Sequence, residues 1–339
     1  MPVTLAEIAK RAGVSLATAS RVLNGQGRRP VEARLRAQVM AIAEELRYVP
    51  NAHAQALARS DSTTVGVIVH DVGDPYFSEI FRGIQRVAVD AGRLVTICNS
   101  YRDPVIELEY LALLRSQRVG AIIMTGSGLN ERAYTRELAG QILAFTDAGG
   151  RAIFIGSHRV AGDMILPDNA GGFFEITAAV LDFGHREIGL ICGPALLTTT
   201  RDRLDGLRRA LAARNLSLHE DHMEWGDFTR DSGAAAALRL LERRPNLTAI
   251  LAMNDSMAIG AIVALRERGI DVPGRISISG FDDIPPAKDV TPALSTVRIP
   301  LREIGARAMA LALEPPQPQL RTERVPVQLI LRDSTKRIS

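Results

Sequence analysis

The sequence predicts an all-α head of about 60 residues followed by a larger α/β body of two lobes, each built on a doubly wound parallel sheet. Three observations lead to this prediction. The 339-residue chain is longer than one hydrophobic core usually serves. Helix start signals and helical apolar spacing fill residues 1–60. From residue 64 onwards, short apolar runs alternate with amphipathic segments.

The composition excludes several classes of protein. Hydrophobic residues make up 46% of the chain and aromatic residues only 4%, which predicts large aliphatic cores. No apolar run approaches the ~20 residues that span a bilayer, and the first residues lack the apolar segment of a secretion signal. Since Cys98 and Cys192 are the two cysteines, we expect a reducing cytoplasmic location, no disulfide scaffold and no membrane partner.

Positive charge is concentrated in the head. Residues 1–60 carry nine Lys and Arg against four Asp and Glu, a net charge of +5. The whole chain has a net charge of +3, so the remaining residues together carry −2. A small basic head on a slightly acidic body predicts a polyanion partner for the head alone.

The head is predicted to contain a helix-turn-helix. Thr4 and Glu7 form a capping box at the start of the first helix, and Ser15 is a candidate N-cap of the second. Gly13, in the turn between them, can take a positive φ. The predicted helices cover residues 4–11, 15–24, 31–47 and 52–59, and Val14, Ala19, Val22 and Leu23 are expected to face the head's core.

The second helix of such a motif enters the major groove of DNA, and its N-terminal residues meet base edges. Arg21 can donate two hydrogen bonds to a guanine, which contributes about 1–3 kcal/mol of discrimination. Leu16 and Ala17 can offer apolar contact, for example to a thymine methyl group. Phosphate contacts are predicted for Thr4, Ser15, Thr18, Ser20, Arg28 and Arg29. The alternative is a solvated basic face on two packed helices.

The body shows two series of alternating strands and helices. Strands are predicted at residues 65–69, 94–98, 121–125, 152–155, 188–192, 223–225, 249–253 and 276–279. Helices are predicted at 76–91, 104–116, a segment ending near 148, 171–183, 200–213, 231–242 and 256–268. Ligands of open α/β sheets bind beyond the carboxyl ends of the strands, so the loops after each strand are the candidate site.

No motif supports catalysis. The two cysteines and six histidines show no metal-ligand spacing, and the GxSxG and GxxxxGK[ST] patterns are missing. Gly126-Ser127-Gly128 follows a predicted strand, but this tripeptide alone does not define a nucleotide site. We therefore expect no catalytic residue, no metal and no cofactor.

Residues 3–25 (VTLAEIAKRAGVSLATASRVLNG) closely resemble the head of the LacI/GalR family of bacterial transcription regulators. The resemblance covers essentially the whole chain, with further matches at 47–51 (RYVPN), 54–59 (AQALAR), 64–69 (TVGVIV), 74–77 (DPYF) and 331–335 (LRDST). It implies a helix-turn-helix DNA-binding domain over 1–50, a hinge helix and linker over 51–62, and a periplasmic-binding-protein-like effector-binding and dimerisation domain over 63–335. The implied N-lobe covers about 63–165 and 293–323, and the C-lobe about 166–292 and 324–335.

The resemblance also implies how the head engages DNA. In the family the hinge helix folds when two subunits sit on an operator, and Leu57 matches a leucine wedged into the minor groove. Such a wedge unstacks a base step, and so short a helix is marginal alone in water. The alternative for Leu57 is an ordinary apolar contact in a linker. The matching segments complete the predicted DNA-contacting set with Asn24, Tyr48, Asn51, Ala54 and Ala58.

In the body, the resemblance places an effector in the cleft between the lobes. Tyr76 and Phe77 match residues that stack on a ring, although one of the pair can instead pack in the core. Arg203 matches an effector-anchoring arginine, and its removal is expected to leave folding intact; the alternative is a surface arginine. Asp282 matches an acid that accepts hydrogen bonds from ligand hydroxyls or amines.

Other cleft residues are predicted from their loops. Asn254 occupies one such loop, and Asp255 beside it either contacts the ligand or caps the next helix. Loop position alone adds Ser157, Asp168, Thr199 and Phe228, and also His158, which can instead be solvated. Leu197 stands where the purine-responsive branch has a basic residue, which argues against a purine corepressor.

An Arg and Asp pair beside aromatic faces favours a polyhydroxylated ligand such as a sugar or sugar derivative. We predict a repressor that binds a palindromic operator as a dimer and is released by such an effector; a corepressor-activated regulator is the alternative. The dimer surface is expected on residues 77–91 and 103–115, and no leucine heptads follow residue 335 to suggest a tetramer. A solute-binding protein would lack the basic head, and an enzyme would need a convergent acid/base or metal set.

Overall fold

A computed structural model describes residues 3–24, 31–48, 64–315, 317 and 319–338. The chain divides into two units, Met1–Thr63 and Thr64–Ser339, which correspond to the head and the body. The predicted hinge segment, 51–62, lies outside the described residues.

The head forms the predicted helices at both sides of its turn. Its helices are α1 (Leu5–Arg11), α2 (Leu16–Asn24) and α3 (Ala33–Glu45). The Thr4 hydroxyl accepts from the backbone N–H of Glu7 at 3.3 Å, and the Ser15 hydroxyl accepts from that of Thr18 at 3.1 Å. Gly13 has a φ of +65°, as the turn requires. The predicted N-caps are therefore confirmed.

Apolar residues from all three helices form the core of the head. Ile8, Val22 and Val39 are buried in it, Val14 and Leu23 pack against it as predicted, and Ala19 is also buried. The predicted extent of α3 is wrong at both ends, because the helix starts at Ala33 and ends at Glu45. Arg47 follows with a φ of +48°, which a helix cannot continue.

Two parallel sheets organise the body. The strands are β1 (Thr64–Val69), β2 (Leu94–Asn99), β3 (Ala121–Thr125), β4 (Arg151–Ile155), β5 (Asp163–Pro167), β6 (Ile188–Cys192), β7 (Met223–Trp225), β8 (Ala249–Ala252), β9 (Ser277–Ser279), β10 (Thr296–Arg298), β11 (Thr322–Val325) and β12 (Gln328–Ile330). The N-lobe sheet has the order β11-β5-β4-β3-β1-β2, and the C-lobe sheet β7-β6-β8-β9. Neighbouring strands of both sheets run parallel, as the alternation predicted.

Helices cover these sheets and pack in pairs. They are α4 (Pro75–Asp90), α5 (Pro104–Ser116), α6 (Arg132–Asp147), α7 (Asn169–Asp182), α8 (Thr198–Ala212), α9 (Arg230–Arg243), α10 (Asp255–Glu267), α11 (Pro286–Asp289) and α12 (Leu301–Leu313). Helices α4 and α12 approach closely because Gly83 and Gly305 lack side chains. A Cβ at either glycine would collide with a backbone carbonyl of the opposite helix. Across the ranges that the structure describes, no helix combines the length and apolar character needed to cross a membrane.

The predicted lobe boundaries need correction. They divide β5 after residue 165 and β11 after residue 323, whereas both strands lie whole in the N-lobe sheet, paired with each other. Two short strands, β10 and β12, form a separate antiparallel ladder in which Thr296 pairs with Ile330. Strand β10 lies in the chain between C-lobe strand β9 and α12, which packs on the N-lobe, and β12 directly follows N-lobe strand β11.

Candidate functional site

The start of α2 presents the predicted base-contacting side chains to solvent. Leu16 is 53% exposed, Ala17 is exposed, and Arg21 lies half-buried further along the helix. The Ser15 and Thr18 hydroxyls are hydrogen-bonded to each other at 2.8 Å. This first turn is uncovered within the head, as a helix that enters a DNA groove must be.

Some of the remaining predicted DNA-contacting residues lie in the part of the chain that the structure describes, and the others lie outside it. Thr4 is exposed while it caps α1, and Ser20 is half-buried on α2. Tyr48 is half-buried and packs against the core of the head. Asn24 ends α2, and its side chain lies outside the described part. Arg28, Arg29, Asn51, Ala54, Leu57 and Ala58 also lie outside the described residues.

A cavity opens between the two sheets of the body, with an empty volume of about 420 Å³, part of it open to solvent. The N-lobe contributes His70, Asp74, Tyr76, Phe77, Arg102, Gly126 and Ser127. The C-lobe contributes Leu197, Thr199, Arg203, Phe228, Asn254 and Asp282. These residues lie in or just after the loops that follow β1, β2 and β3 in one lobe and β6 to β9 in the other, where ligands of parallel sheets bind.

Most of the predicted effector residues meet at this cavity. They are Tyr76, Phe77, Thr199, Arg203, Phe228, Asn254 and Asp282. Ser157 does not line it, and its backbone carbonyl instead accepts from the Thr198 hydroxyl at 2.9 Å. Asp168 is exposed and caps α7 by accepting from the Gly171 N–H at 2.9 Å. Neither residue therefore lines the cavity in this arrangement of the lobes.

Arg203 lies at the centre of the C-lobe wall and is 3% exposed, so it is not a surface arginine. Its Nε donates to Asn169 Oδ1 at 2.9 Å, its Nη2 donates to Asp282 Oδ1 at 2.9 Å, and its Nη1 donates to the Met253 carbonyl. The guanidinium carbon lies 3.9 Å from the centre of the Phe281 ring. Of five N–H groups on a guanidinium, these contacts engage three and leave donors for a ligand.

Asp282 is held in an unusual backbone conformation. Its φ is +116° and that of Asp283 is +56°, both in a region that is costly for residues other than glycine. The Asp282 N–H donates to the Val297 carbonyl at 2.8 Å. The Asp283 carboxylate accepts from Arg298 Nε at 2.7 Å and from Arg332 Nη2 at 2.6 Å. The loop is therefore fixed to β10 and to the segment after β12.

Asn254 and Asp255 support this wall in different ways. Asn254, and not Asp255, caps α10, since its side-chain oxygen accepts from the Met257 N–H at 2.9 Å. Asp255 is fully buried and accepts from the Ile284 N–H at 2.9 Å and from the Thr296 hydroxyl at 2.6 Å. Neither predicted role of Asp255 is correct, because it anchors the loop that carries Asp282.

Burial weakens the negative charge of the cavity. It raises the pKa of Asp282 to about 7, with the Asp74 carboxylate acting in the same direction and Arg203 opposing both. Burial likewise raises the pKa of Asp74, which caps α4. The pKa of the Tyr76 hydroxyl is also raised by burial, so this group stays protonated. The wall thus mixes a guanidinium with carboxyl and hydroxyl groups of reduced acidity.

Several wall residues were not predicted as effector contacts, although the rule that ligands bind beyond the carboxyl ends of strands points to three of them. His70, Arg102 and Ser127 follow β1, β2 and β3. The Arg102 guanidinium carbon lies 5.7 Å from the Phe228 ring centre. The Ser127 hydroxyl donates to the Thr199 hydroxyl at 2.5 Å across the lobes. Leu197, which argued against a purine, lies in the wall, and His158 is buried rather than solvated.

A helix-turn-helix unit in the same chain as a two-lobed α/β body with a cavity between its sheets defines the class of ligand-responsive DNA-binding regulators. Residues 4–51 match the family of bacterial regulatory proteins named after lacI, and residues 177–335 match the periplasmic binding protein-like domain. The chain is 35% identical to the transcriptional regulator GalS of Salmonella typhimurium, over 92% of this chain and 89% of that protein. It is 33% identical to GalR of Escherichia coli, over 91% and 88% respectively. The chain belongs to the lacI family of bacterial regulatory proteins.

Solved structures agree with this assignment. The Lac repressor dimer bound to operator and the anti-inducer ONPF matches with a TM-score of 0.85 and 28% identity, covering 99% of this chain and 100% of that one. A complex of the transcriptional regulator CelR with cellobiose matches with a TM-score of 0.72 and 27% identity, covering 98% and 99%. The relatives are named as regulators or repressors, which confirms the prediction of a regulator rather than an enzyme.

Proposed function

We propose that this chain is a cytoplasmic repressor that binds a palindromic operator as a dimer and is released when a sugar or sugar derivative occupies the cavity. The observation that carries the proposal is the buried pair of Arg203 and Asp282 in a cavity walled by Tyr76, Phe77 and Phe228. Family membership supports the DNA-binding role, and the cavity's chemistry supports the class of effector.

The cavity offers a sugar both kinds of polar partner. Arg203 has free N–H donors, Asp282 has a second carboxyl oxygen, and the Thr199 hydroxyl can donate or accept. The aromatic side chains in the wall can pack against the apolar faces that a sugar ring presents. The similar proteins include one solved with cellobiose and one, 25% identical over 81% of this chain with a TM-score of 0.72, solved with ribose.

Hydrogen bonds join the two lobes of the body. The Asn130 N–H donates to the Leu196 carbonyl at 2.8 Å, and the Thr198 N–H to the Gly128 carbonyl at 3.0 Å. The loop of Asp282 is bonded to β10, which leads into the N-lobe helix α12. A ligand that prefers one arrangement of the lobes shifts the population towards it, and thereby changes the spacing of paired heads.

The N-lobe carries exposed apolar side chains that fit a second copy of this chain. The exposed fractions are 66% for Leu94 on the edge strand β2, 64% for Val89, and 62% and 56% for Val105 and Leu113 on α5. Val89, Val105 and Leu113 fall in the segments where the resemblance places the dimer surface. Burial of such side chains between copies removes apolar surface from water, which favours association.

Leu94→Glu is expected to weaken the dimer by placing a carboxylate in this apolar surface. Sedimentation at micromolar concentration should show mainly monomer, and operator affinity should fall because two heads are no longer joined. Leu143→Glu is the matched control, since Leu143 is 59% exposed on α6 of the same lobe. A dimer that persisted in Leu94→Glu as in the control would place the interface elsewhere.

The proposed function is tested by selecting duplexes from a random pool with the full chain and then adding single sugars. D-Glucose, D-galactose, D-ribose and cellobiose are suitable probes. One sugar or a close derivative should release the selected duplex, and the same sugar should raise the melting temperature of the protein. Tighter DNA binding with sugar would instead indicate a corepressor. No preference for any duplex would contradict the DNA-binding role.

A further inference from the structure

His70 stands in the cavity wall with one side of its ring unused. It directly follows β1 and is 5% exposed. Within the described residues its Nε2 has no hydrogen-bond partner. Buried polar atoms of this kind are rare, and each one calls for an explanation such as an absent ligand.

The opposite side of the ring is held by a buried polar cluster, Ser100, Glu107 and Tyr134. His70 Nδ1 lies 3.3 Å from the Ser100 hydroxyl and 3.9 Å from Glu107 Oε2. Glu107 in turn accepts from the Tyr134 hydroxyl, and all three side chains are buried. The ring edge also packs against Phe77, with 5.5 Å between ring centroids. These contacts fix the ring, and with it the position of Nε2.

Gly126 lies directly beside Nε2. Gly126 has a φ of +98°, and a Cβ at this residue would lie 2.7 Å from Nε2. A larger residue would therefore fill the space beside the imidazole nitrogen. The cavity wall thus contains a buried polar atom that the described residues do not satisfy.

The imidazole is uncharged at neutral pH. Burial lowers the pKa of His70 to about 3, with the Arg102 and His158 charges acting in the same direction. A contact with the Ser127 backbone opposes them, but it does not have the geometry of a hydrogen bond to Nε2. A neutral imidazole has one donor and one acceptor nitrogen. A hydroxyl can pair with Nε2 in either tautomer because it both donates and accepts.

We propose that His70 is an effector-contacting residue whose Nε2 forms a hydrogen bond with a hydroxyl group of the sugar, and that Ser100, Glu107 and Tyr134 position its ring. This inference rests on the proposed function and adds a hydroxyl-recognising group on the N-lobe wall, opposite Arg203 and Asp282. A sugar held in this way contacts polar groups of both lobes.

Two variants at position 70 test the roles of the two ring nitrogens, Nδ1 and Nε2, separately. In His70→Asn the amide can replace Nδ1 towards Ser100 but does not reach the cavity, whereas in His70→Gln it extends to the position of Nε2. His70→Asn is expected to raise the sugar concentration for half-release of the selected duplex about tenfold, the loss of one hydrogen bond. His70→Gln should recover most of that loss.

His185→Asn is the matched control. His185 is a buried histidine of the C-lobe with both nitrogens bonded, Nδ1 to the Thr248 hydroxyl and Nε2 to the Lys336 carbonyl, each at 3.0 Å. This variant should lower the melting temperature without changing the sugar concentration for half-release. A loss in His70→Asn that the control reproduced would assign His70 a structural role only.

The outcomes distinguish this inference from the proposed function. The probes are D-glucose, D-galactose, D-ribose and cellobiose, titrated against the full chain on its selected duplex. If wild type responds and both His70 variants release the duplex at the wild-type sugar concentration, the His70 contact is overturned while the proposed function stands. If wild type responds to none of the sugars, the proposed effector class fails, and the inference fails with it.

Discussion

Arg203→Ala is expected to abolish the effector response and to lower the free energy of unfolding of the body by about 3–5 kcal/mol. The stability loss follows because removal of the guanidinium leaves Asp282 buried and without its ion-pair partner. Asn169 Oδ1 and the Met253 carbonyl also lose their donor. From the sequence alone we expected folding to be unaffected, and the buried contacts of Arg203 correct that expectation.

Arg203→Lys separates the binding role from the stability role. A lysine keeps the positive charge, but its single ammonium cannot reproduce the forked set of contacts to Asn169, Met253 and Asp282. The half-release concentration of the effector should rise at least tenfold in a protein that still melts cooperatively. Arg201→Ala, on the exposed face of the same helix, should behave as wild type. Wild-type release by Arg203→Lys would remove Arg203 from the site.

Arg21→Ala is expected to have the largest effect on DNA binding. A bidentate contact to guanine contributes about 1–3 kcal/mol of discrimination, and a dimer makes it once in each half-site. Affinity for the selected operator should therefore fall by roughly 30-fold to 10⁴-fold. Selection from a random duplex pool should show base preference lost at one position, symmetrically in both half-sites.

Lys10→Ala is the control for this prediction. Lys10 is exposed on α1, outside the recognition helix. If it meets a phosphate, its removal should weaken binding to all duplexes alike and reduce the salt dependence by about one charge per contact. Unchanged base preference in Arg21→Ala would show that this residue does not read sequence.

Local patterns predicted most of the fold. Apolar runs such as β1 and β3 are buried almost throughout, and caps such as Thr4 and Ser15 mark helix starts directly. The lobe boundaries were wrong because they depend on pairing between distant segments. Strands β5 and β11 are separated by more than 150 residues and meet in register only in the folded sheet, with Met164 opposite Thr322.

The sequence identified cavity-lining residues where a residue's type and its place after a strand agreed. Arg203 and Asp282 are of this kind. Asp168 has the right chemistry and the right loop, but its carboxylate caps a helix and faces solvent. His70 was not predicted as a site residue, because what distinguishes it is a ring nitrogen without a hydrogen-bond partner among the described residues. Whether a buried nitrogen finds a partner depends on the packed structure and cannot be read from the sequence.

Binding of effector in the cavity and binding of operator to the heads are proposed to be negatively coupled through the body. The most direct test of this coupling is a thermodynamic cycle: operator affinity of the dimer with and without the releasing sugar, and sugar affinity with and without the selected duplex. We predict that each ligand weakens the other by the same factor, within about 5–150-fold, since coupling free energy is reciprocal. Sugar affinity that is identical for the free and the operator-bound dimer would show that the cavity and the heads are not coupled.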